Sequence, residues 1–486
     1  MDDVLKYDVV ILGAGPAGLA AGYKLRKDGK NVLILEKDVN VGGSSKSVRK
    51  DGVILDYGPH AFHFKNQQIM DFVKEILDEE YVVKKRDIKV LLKGKFFDYP
   101  LRITEPMVKL NPFLTLRMLF DYFIAFFVYL HHKIFRIEEK SFEEWGKKYF
   151  GNTLYKLCFG DYSERVWGIS PKKLSVKLAQ QKITNLNIFN IILEILGIDI
   201  PSKRTYHKEY IYPPSGISIL FERLAEKYRS IGGEIATEAN IEEINTGDGK
   251  VRTLKYSKDG KTFNAKCSYL ISTIPLKYLI PLITQNLSKE VIEEIKELKY
   301  RDLRLVNILI NKERFSKSQW IYFLDNNFIS NRVSEQKNLS EKTCPTGKTV
   351  LCFEICCNQG DEIWNMSDKE IYQVALKDFK NLGLGEELVD KYFVLNLKDA
   401  YPIYTIDFDI KLNNIIENLS NINNLFSIGR QGLFLNNDMH DSMEMGFMSA
   451  SFVMDGSDSK RWYTEVEKYA KHKLEGKEAP IKDFKL

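Results

Sequence analysis

The fold of this 486-residue chain is decided by residues 7–18, YDVVILGAGPAG. The first six residues form a short apolar run with β-branched side chains, which predicts a buried parallel strand. Three glycines follow with the spacing Gly-x-Gly-x-x-Gly, and apolar residues then recur at helical spacing from Leu19. A second apolar run, 31–35, ends on Glu36. This order of strand, glycine turn, helix, strand and acid predicts a Rossmann-like dinucleotide-binding unit.

Each glycine of the turn has its own physical role. Gly13 permits the tight turn out of the strand, Gly15 lets the backbone approach a pyrophosphate, and Gly18 lets the helix pack closely on the strand. The pyrophosphate is expected at the N-terminus of the helix, because free N–H groups and the helix dipole favour negative charge there. Glu36 is expected to accept hydrogen bonds from the ribose of the adenosine.

A second glycine pair, Gly42-Gly43, is followed by Ser44-Ser45. A pair in this position resembles the FAD signature of the glutathione-reductase-like flavoproteins, where it passes the ribityl–phosphate chain. NAD enzymes with a plain Rossmann fold lack this pair. The resemblance therefore implies FAD as the cofactor.

The charged residues are nearly balanced, since 71 basic and 66 acidic side chains leave a net charge of +5. A charge this small and dispersed argues against a nucleic-acid partner. The six cysteines show no metal-ligand spacing, so we expect no metal site and reduced core thiols. Acidic Asp2-Asp3 and an early first strand predict no signal peptide. We expect a cytoplasmic protein, either free or peripheral at the inner face of the membrane.

Residues 113–135 are strongly apolar, and Asp121 interrupts them. The uninterrupted part is short for a membrane span. Three interpretations stay open: a buried or pocket-lining helix, a helix on the membrane surface, and a spanning helix.

Changes of pattern divide the chain into interleaved parts. The predicted FAD-binding domain comprises 1–75, 207–290 and 396–460; the predicted substrate domain comprises a helical, aromatic insertion at 76–206 and a strand-rich insertion at 291–395; a C-terminal helix and tail occupy 461–486. The predicted class is α/β, with a Rossmann-like FAD-binding domain of the glutathione-reductase type and an interleaved α+β substrate domain that contains a helical insertion.

Periodicity and turn residues also predict local elements. These are a hairpin at 84–102, helical structure over 104–200, a helix at 219–228, strands at 239–244, 269–275, 304–310, 320–324 and 349–356, a helix at 443–454, and a final helix up to about 474. The dense aromatic residues between 142 and 168 indicate either core or the wall of a pocket for an apolar substrate.

Further stretches resemble the amine-oxidase-like flavoproteins, a group that includes protoporphyrinogen oxidases, phytoene desaturases and UDP-galactopyranose mutases. The stretch DYGPHAFH at 56–63 is the most specific; YRDL at 300–303, NRVSEQK at 331–337 and Tyr401-Pro402 follow it. The segment 429–439, which begins Gly-Arg and ends Asp-Met, completes the likeness. Within the group these motifs look most like those of the mutases.

The resemblance implies roles for several residues. His60 would lie against the flavin near N5, Arg332 would hold a diphosphate by a bidentate contact, and Tyr401 would donate a hydrogen bond to the same group. The residues themselves also allow a capped turn at His60, a surface ion pair of Arg332 with Glu335, and core packing of Tyr401. Ile241 would meet the adenine through its backbone, in what could equally be an ordinary buried strand.

The cofactor-binding residues that the motifs and the resemblance predict come from turns and helix starts along the whole chain. They are Gly13, Gly15, Pro16, Ala17, Gly18, Glu36, Lys37, Gly42, Gly43, Ser44, Ser45, Gly58, Pro59, His60, Ile241, Gly429, Arg430, Asp438, Met439 and Ser442.

One departure from the mutases bears on function. Their tyrosine pair after the Gly-Arg grips the diphosphate, whereas this chain has Phe434 and Asn436 there. A lost hydrogen bond to a charged group costs about 1.5–3 kcal/mol, or roughly ten- to a hundredfold in binding. We therefore expect an FAD-dependent oxidoreductase that accepts hydride at flavin N5 from an apolar, ring-containing or lipid-linked small molecule.

Two alternatives stay open. The first is a mutase that acts on a nucleotide- or lipid-linked sugar with reduced FAD as nucleophile. The second is a non-enzymatic scaffold, which would leave His60 and Arg332 without a role. No carboxylate pair or Ser/His arrangement is recognisable, so most of the chemistry would belong to the flavin.

Overall fold

The computed structural model describes residues 4–63, 66–101, 104–182, 209–283 and 287–474. The helical structure predicted beyond residue 182 and the tail beyond 474 lie outside these ranges. The strands are β1 Leu5–Leu12, β2 Val32–Leu35, β3 Ser47–Lys50, β4 Val53–Asp56, β5 Phe62–His63, β6 Val82–Lys85, β7 Ile88–Leu92, β8 Lys95–Asp98, β9 Glu209–Tyr212, β10 Glu234–Ala236, β11 Asn240–Gly247, β12 Lys250–Lys258, β13 Lys261–Ser272, β14 Tyr300–Ile310, β15 Trp320–Phe323, β16 Arg332–Glu335, β17 Thr349–Cys357, β18 Val389–Pro402 and β19 Leu425–Ser427.

The α-helices are α1 Pro16–Lys27, α2 Gln67–Leu77, α3 Thr104–Lys109, α4 Pro112–Phe135, α5 Phe142–Tyr155, α6 Asp161–Trp167, α7 Val176–Lys182, α8 Ser218–Ser230, α9 Leu276–Leu282, α10 Lys289–Glu297, α11 Glu362–Asn365, α12 Asp368–Asn381, α13 Phe408–Ser420, α14 Gly429–Gly432, α15 Met439–Met454 and α16 Ser459–Leu474. A π-helical turn, Lys156–Gly160, joins α5 to α6. Short 3₁₀ turns occupy Gln336–Asn338, Glu341–Thr343 and Glu386–Leu388.

One large sheet carries the dinucleotide-binding unit. Its strand order is β10-β2-β1-β13-β12-β11, and β19 also pairs with β13. Strands β10, β2, β1, β13 and β19 are joined by parallel pairings, whereas β13, β12 and β11 are joined by antiparallel ones. Val9 on β1 lies between Val32 and Tyr269 in the register, and the last four residues of β1 are buried. The α/β, Rossmann-like class predicted from the glycine turn is confirmed.

Small residues let α1 pack closely between its neighbours. A Cβ atom on Gly18 would lie 2.0 Å from the carbonyl oxygen of Gly13, and one on Gly446 of α15 would lie 2.4 Å from that of Ala17. Helix α15 starts at Met439, earlier than the predicted 443, because the side chains of Asp438 and Asp441 cap its first turn reciprocally. The first turn of α15 is thereby brought to the same region as the glycine turn.

A second large sheet has the strand order β18-β14-β17-β16-β15-β7-β8. The predicted hairpin at 84–102 is shorter, since β7 and β8 form it and Lys84 lies on β6. Strand β6 pairs instead with β9 in a small sheet, β5-β9-β6. Strand β18 continues past residue 396 to Pro402, so this sheet also carries Tyr401.

The insertion after β8 is helical in its described part. Helix α4 is long and apolar enough to cross a membrane, judged by length and composition alone. Its buried residues are Met118, Tyr122 and Ala125, so it rests on the protein by one narrow face. Asp121 is turned inward and accepts a hydrogen bond from the Thr153 backbone N–H of α5 at 2.8 Å. The interpretation of 113–135 as a buried helix is therefore wrong.

Candidate active site

A cavity of about 1190 Å³ is lined by residues of both large sheets. Pockets for small ligands usually measure about 300–1000 Å³, so this cavity can hold a ligand of dinucleotide size with room beside it. It has a dinucleotide end at the glycine turns, a charged centre at Arg332 and an aromatic wall built by α6 and its neighbours.

The dinucleotide end is formed by two glycine turns that touch. A Cβ atom on Gly43 would lie 3.3 Å from the Cα atom of Gly15, so a side chain at this point would crowd the floor of the groove. Pro16 stands in the first turn of α1 after the N-cap Gly15, which leaves the helix N-terminus facing the same floor. A bare floor beside a helix N-terminus fits the pyrophosphate of FAD.

Glu36 stands at the end of β2 and is buried. Its carboxylate accepts hydrogen bonds from the backbone N–H groups of Ala14 at 2.7 Å and Asp38 at 2.9 Å. Burial raises the pKa of this carboxyl, although both N–H groups oppose the shift. Each oxygen keeps a further lone pair, which is what a ribose hydroxyl requires.

Most of the predicted cofactor-binding residues line this cavity. Those that do are Gly13, Gly15, Pro16, Ala17, Glu36, Lys37, Gly43, Ser44, Ser45, Gly58, Pro59, His60, Ile241, Gly429, Arg430, Asp438, Met439 and Ser442. Gly18 and Gly42 do not line it. Gly18 packs against Gly13, and Gly42 donates its backbone N–H to the carbonyl of Ala14 at 2.8 Å. Both residues therefore stabilise the two glycine turns from outside the cavity.

His60 lies on the loop between β4 and β5, close to the charged centre. Its Nδ1 atom is 3.2 Å from the Gly58 carbonyl, a geometry that suits Nδ1–H as donor. Burial, with Arg430 and Arg332 nearby, lowers the pKa of His60 to about 4. The imidazole is therefore neutral at pH 7, and its Nε2 atom is a hydrogen-bond acceptor in the cavity.

Arg332 is the charged centre, and its partner is a residue that the motifs do not reveal. Its Nε and Nη2 atoms donate to Oε2 of Glu354 at 3.0 and 2.6 Å, and Nη2 is 3.3 Å from the Tyr401 hydroxyl. Oε1 of Glu354 accepts a hydrogen bond from Asn331 at 2.9 Å. The surface ion pair with Glu335 is therefore wrong, because Glu335 is bonded elsewhere, to the backbone of Phe315.

One feature of the sequence could have identified Glu354 as a site residue. It is the single acid within TVLCFEICC, a strand that is otherwise apolar apart from its first threonine. A carboxylate in such a run must have a partner, since an unpaired buried charge is very costly. Its Oε2 atom also lies 3.3 Å from where a Cβ on Gly58 would stand, so Glu354 lies against the loop between β4 and β5 as well as against Arg332.

Arg430 and Tyr401 complete the polar part of the cavity. Arg430 donates from Nε to the Asn437 carbonyl at 2.7 Å and from Nη1 to the Ala400 carbonyl at 3.2 Å. Among the described residues, no carboxylate pairs with this guanidinium. Burial raises the pKa of Tyr401, so its hydroxyl remains a donor at neutral pH. An anionic group of a substrate would find Arg430 as its uncompensated cation.

The two residues that replace the tyrosine pair of the mutases, Phe434 and Asn436, lie outside the cavity lining. Phe434 is fully buried against Tyr300 at a ring distance of 5.0 Å. The backbone N–H of Asn436 donates to the Tyr404 hydroxyl at 2.9 Å, and Asn436 is buried as well. Neither residue lines the cavity.

An aromatic wall continues from the charged centre. The guanidinium of Arg332 lies 5.9 Å from the centre of the Tyr322 ring, which meets Tyr162 at 6.4 Å. Trp167 meets Tyr401 at 6.2 Å. The aromatic residues between 142 and 168 therefore include a pocket wall, although no residue of α4 belongs to it.

The fold and the cavity define an FAD-binding enzyme with a dinucleotide groove that opens into a mixed polar and aromatic pocket. The family model described as "Flavin containing amine oxidoreductase" matches residues 16–404, so the chain belongs to this family. This family membership confirms three predictions from the sequence: the resemblance of the motifs, FAD as the cofactor, and the enzymatic class.

Individual relatives are more distant. A probable UDP-galactopyranose mutase of Klebsiella pneumoniae is 25% identical over 183 residues, which are 37% of this chain and 46% of that protein. Protoporphyrinogen oxidase 2 of Arabidopsis thaliana is 34% identical over 88 residues, 18% of this chain and 16% of that protein. A crystal structure of reduced UDP-galactopyranose mutase superposes with a TM-score of 0.80 at 19% identity, covering 93% of this chain and 96% of that one. The chain thus spans less than half of either curated relative, and the structural likeness shows the fold.

Proposed function

We propose that this protein is an FAD-dependent oxidoreductase whose substrate is largely apolar and carries one anionic group. The observation that supports this proposal most is the pairing, in one cavity, of the uncompensated Arg430 with a wall of aromatic rings. Arg332 contributes little net charge, because Glu354 balances it. Of the two guanidiniums at the charged centre, Arg430 is the one without a carboxylate partner among the described residues, and a centre of such low net charge favours a substrate of low charge over a diphosphate.

The side chains have separate tasks in this proposal. Arg430 holds the anionic group, Tyr401 donates a hydrogen bond beside it, and the ring of His60 stays neutral near the reacting carbon. FAD, when bound, supplies the acceptor for the hydride. Within the described residues no free carboxylate faces the charged centre, so the protein orients the substrate and excludes water while leaving the redox change to the cofactor.

The test is anaerobic absorbance spectroscopy of the flavin with three compounds that the relatives' names suggest. Protoporphyrinogen, a ring compound with two carboxylates, and 4,4'-diapophytoene, an uncharged hydrocarbon, are apolar reductants on either side of the proposed charge, and UDP-galactopyranose represents a charged sugar. Bleaching of the flavin by an apolar compound alone is the expected result. Absence of bleaching by every apolar compound, with turnover of the sugar, would contradict the proposal.

A mutase is the second candidate, favoured by the pair Arg332–Tyr401 and by relatives whose names are mutases of UDP- and dTDP-sugars. The two reactions differ in their need for reduced flavin, since a mutase has no net redox change. Turnover that requires prior reduction with dithionite, and that leaves the flavin reduced afterwards, would favour the mutase. Turnover that consumes oxidised flavin once per substrate would favour the oxidoreductase.

The partners we propose are a small-molecule or lipid-linked substrate, no nucleic acid, and a membrane surface contacted through 113–135. The side chains of Phe113, Phe120 and Phe123 are 84, 63 and 61% exposed, far beyond what a water-facing helix normally shows. The exposed charged residues of α4, Arg117 and Lys133, are basic and suit an anionic lipid surface. We propose a cytoplasmic protein that is peripheral at the inner face of the membrane.

Co-sedimentation with vesicles tests the membrane contact. We expect binding to vesicles that contain anionic lipid, and its loss in the double variant Phe120→Ser/Phe123→Ser. The matched control is Phe96→Ser, because Phe96 is also half exposed but stands on β8. Equal pelleting of all three proteins would contradict a role for α4.

A further inference from the structure

We infer that one arm of the cavity binds a hydrocarbon chain, and that this chain is delivered from the bilayer on which α4 lies. The arm, called the apolar arm here, is lined by Leu101, Phe142, Cys158, Phe159, Val166 and Leu178. The inference rests on the proposed function, because the chain's anionic end would then reach Arg430 at the charged centre. It adds the part of the substrate that sets binding strength.

The walls of the apolar arm offer no charge to a ligand. Phe142, Cys158 and Leu178 line the cavity and are otherwise buried, since only 5, 4 and 1% of their surface is exposed. Burial raises the pKa of the Cys158 thiol to about 12, so it remains an uncharged, apolar wall group at neutral pH. A wall of this kind binds a saturated or isoprenoid chain in proportion to the apolar area buried.

The arm is continuous with the charged centre. Phe159 and Tyr162 lie within one turn of each other at the junction of the π-helical turn and α6. Tyr162 in turn meets Tyr322, and the Tyr322 ring lies 5.9 Å from the Arg332 guanidinium. A molecule with its chain against Phe159 would therefore extend past the tyrosines towards the polar groups.

The arm is also linked to α4 by a series of packed rings. Phe159 stacks on Phe150 at 4.6 Å, Phe150 meets Trp145 at 5.9 Å, and Trp145 meets Tyr149 at 5.0 Å. Tyr149 then meets Tyr129 of α4 at 6.0 Å. Among the described residues, α5 thus lies between the wall of the arm and the helix that carries the exposed phenylalanines.

Chain-length dependence of binding tests the apolar arm. The probes are hexyl, octyl and decyl phosphate, kept below their micelle concentrations and titrated into the FAD-loaded protein while the flavin spectrum is followed. A chain that enters the arm should bind about fourfold more tightly per added methylene, since each buried methylene contributes about 0.8 kcal/mol. No dependence on chain length would overturn the inference.

Two substitutions locate the effect. Phe159→Gln places a polar group in the wall, and Leu178→Trp fills the arm, so each should reduce the gain per methylene to less than about twofold. The matched control Phe96→Gln makes the same chemical change at a half-exposed ring outside the cavity, and should keep the fourfold gain. A gain that persists in both arm variants would overturn the assignment to this arm.

Vesicles separate delivery from the bilayer from capture of free amphiphiles. We expect Phe120→Ser/Phe123→Ser to bind monomeric decyl phosphate like the wild type and to lose binding of a polyprenyl phosphate embedded in anionic vesicles. Undiminished binding of the embedded lipid would overturn delivery through α4. The proposed oxidation can be contradicted independently of the apolar arm. If chains bind with the fourfold gain but no apolar compound bleaches the flavin, the assignment of the arm is supported and the redox assignment is contradicted.

Discussion

Arg332 and Glu354 face each other as a register pair of the antiparallel strands β16 and β17, in the wall of the cavity. The side chain of Glu354 is 2% exposed and that of Arg332 15%, and two nitrogens of the guanidinium donate to one carboxylate oxygen. The pair places a fixed, nearly neutral unit beside Tyr401. Arg430, the other guanidinium of this centre, has no carboxylate partner among the described residues and so can bind an anionic ligand.

Removal of one partner of this pair should be strongly destabilising. Arg332→Ala leaves the Glu354 carboxylate buried without its ion partner, for which we expect a loss of about 3–5 kcal/mol in the free energy of unfolding. Urea denaturation measures this loss. The matched control is Lys296→Ala, whose partner Glu293 is 70% exposed and for which we expect less than about 1 kcal/mol.

A double variant checks the cause of that loss. Arg332→Met combined with Glu354→Leu replaces the pair by apolar side chains, and should recover most of the stability. An equal or larger loss in the double variant would show that the pair is not what stabilises this wall.

The pair also shows where prediction from sequence ends. The glycine spacing and the acid at Glu36 were sufficient for the fold class, since one local unit contains the whole pattern. The cofactor required the further glycine pair Gly42-Gly43 and its likeness to a known FAD signature. The partner of Arg332 depends on the register of two strands, which no local pattern specifies, and the nearest acid in sequence, Glu335, was the wrong choice. The motif positions that line the cavity are mostly turns and strand ends, where chain geometry fixes the direction of each residue.

Helix α4 shows a second limit. Hydropathy identified 113–135 as apolar but could not distinguish a helix that faces the core from one that faces outward. That distinction depends on tertiary contacts, such as the one between Asp121 and Thr153. The start of α15 was placed too late for a related reason, because its cap is formed by Asp438 and Asp441, and Asp438 lies five residues before the predicted start at Met443.

The neutral state of His60 predicts a pH dependence of stability. Its pKa of about 4 in the folded protein lies below the ordinary value near 6.5, so the unfolded chain binds a proton first as the pH falls. The contribution of neutral His60 to the free energy of unfolding is therefore complete above pH 6.5 and is lost as the pH falls towards 4. Between pH 7 and pH 5 we expect a loss of about 2 kcal/mol.

Denaturation of wild type and His60→Asn at both pH values measures this contribution as the change in their difference. A difference between wild type and His60→Asn that is the same at pH 7 and pH 5 would refute the neutral assignment.

The contact between α1 and α15 should tolerate no side chain at Gly446. A Cβ there would lie 2.4 Å from the Ala17 carbonyl and 3.0 Å from the Ala21 nitrogen, so the helices must separate. We expect Gly446→Ala to cost about 1–3 kcal/mol in stability and to weaken FAD retention, because both helix N-termini border the groove. Gly247→Ala is the control: a Cβ there meets only side-chain atoms of Arg252 at 3.6 and 3.7 Å, and should change stability by less than about 0.5 kcal/mol.

Arg430 should set the affinity for an anionic head group. Arg430→Ala removes a charged donor, which is worth about 1.5–3 kcal/mol, so octyl phosphate should bind roughly ten- to a hundredfold more weakly. Octanol, which lacks the charge, should bind nearly as before. The flavin content of each preparation is measured in parallel, and an equal loss for both ligands would indicate damage to the cavity in place of a lost ion contact.

The binding of FAD in the groove between the two glycine turns is tested most directly by the visible spectrum of the purified protein, followed by titration of FAD into protein stripped of flavin. We expect the absorbance of oxidised flavin and saturable uptake of one FAD per chain. A colourless protein that takes up no added FAD would contradict both the groove's assignment and the chemistry proposed beside it.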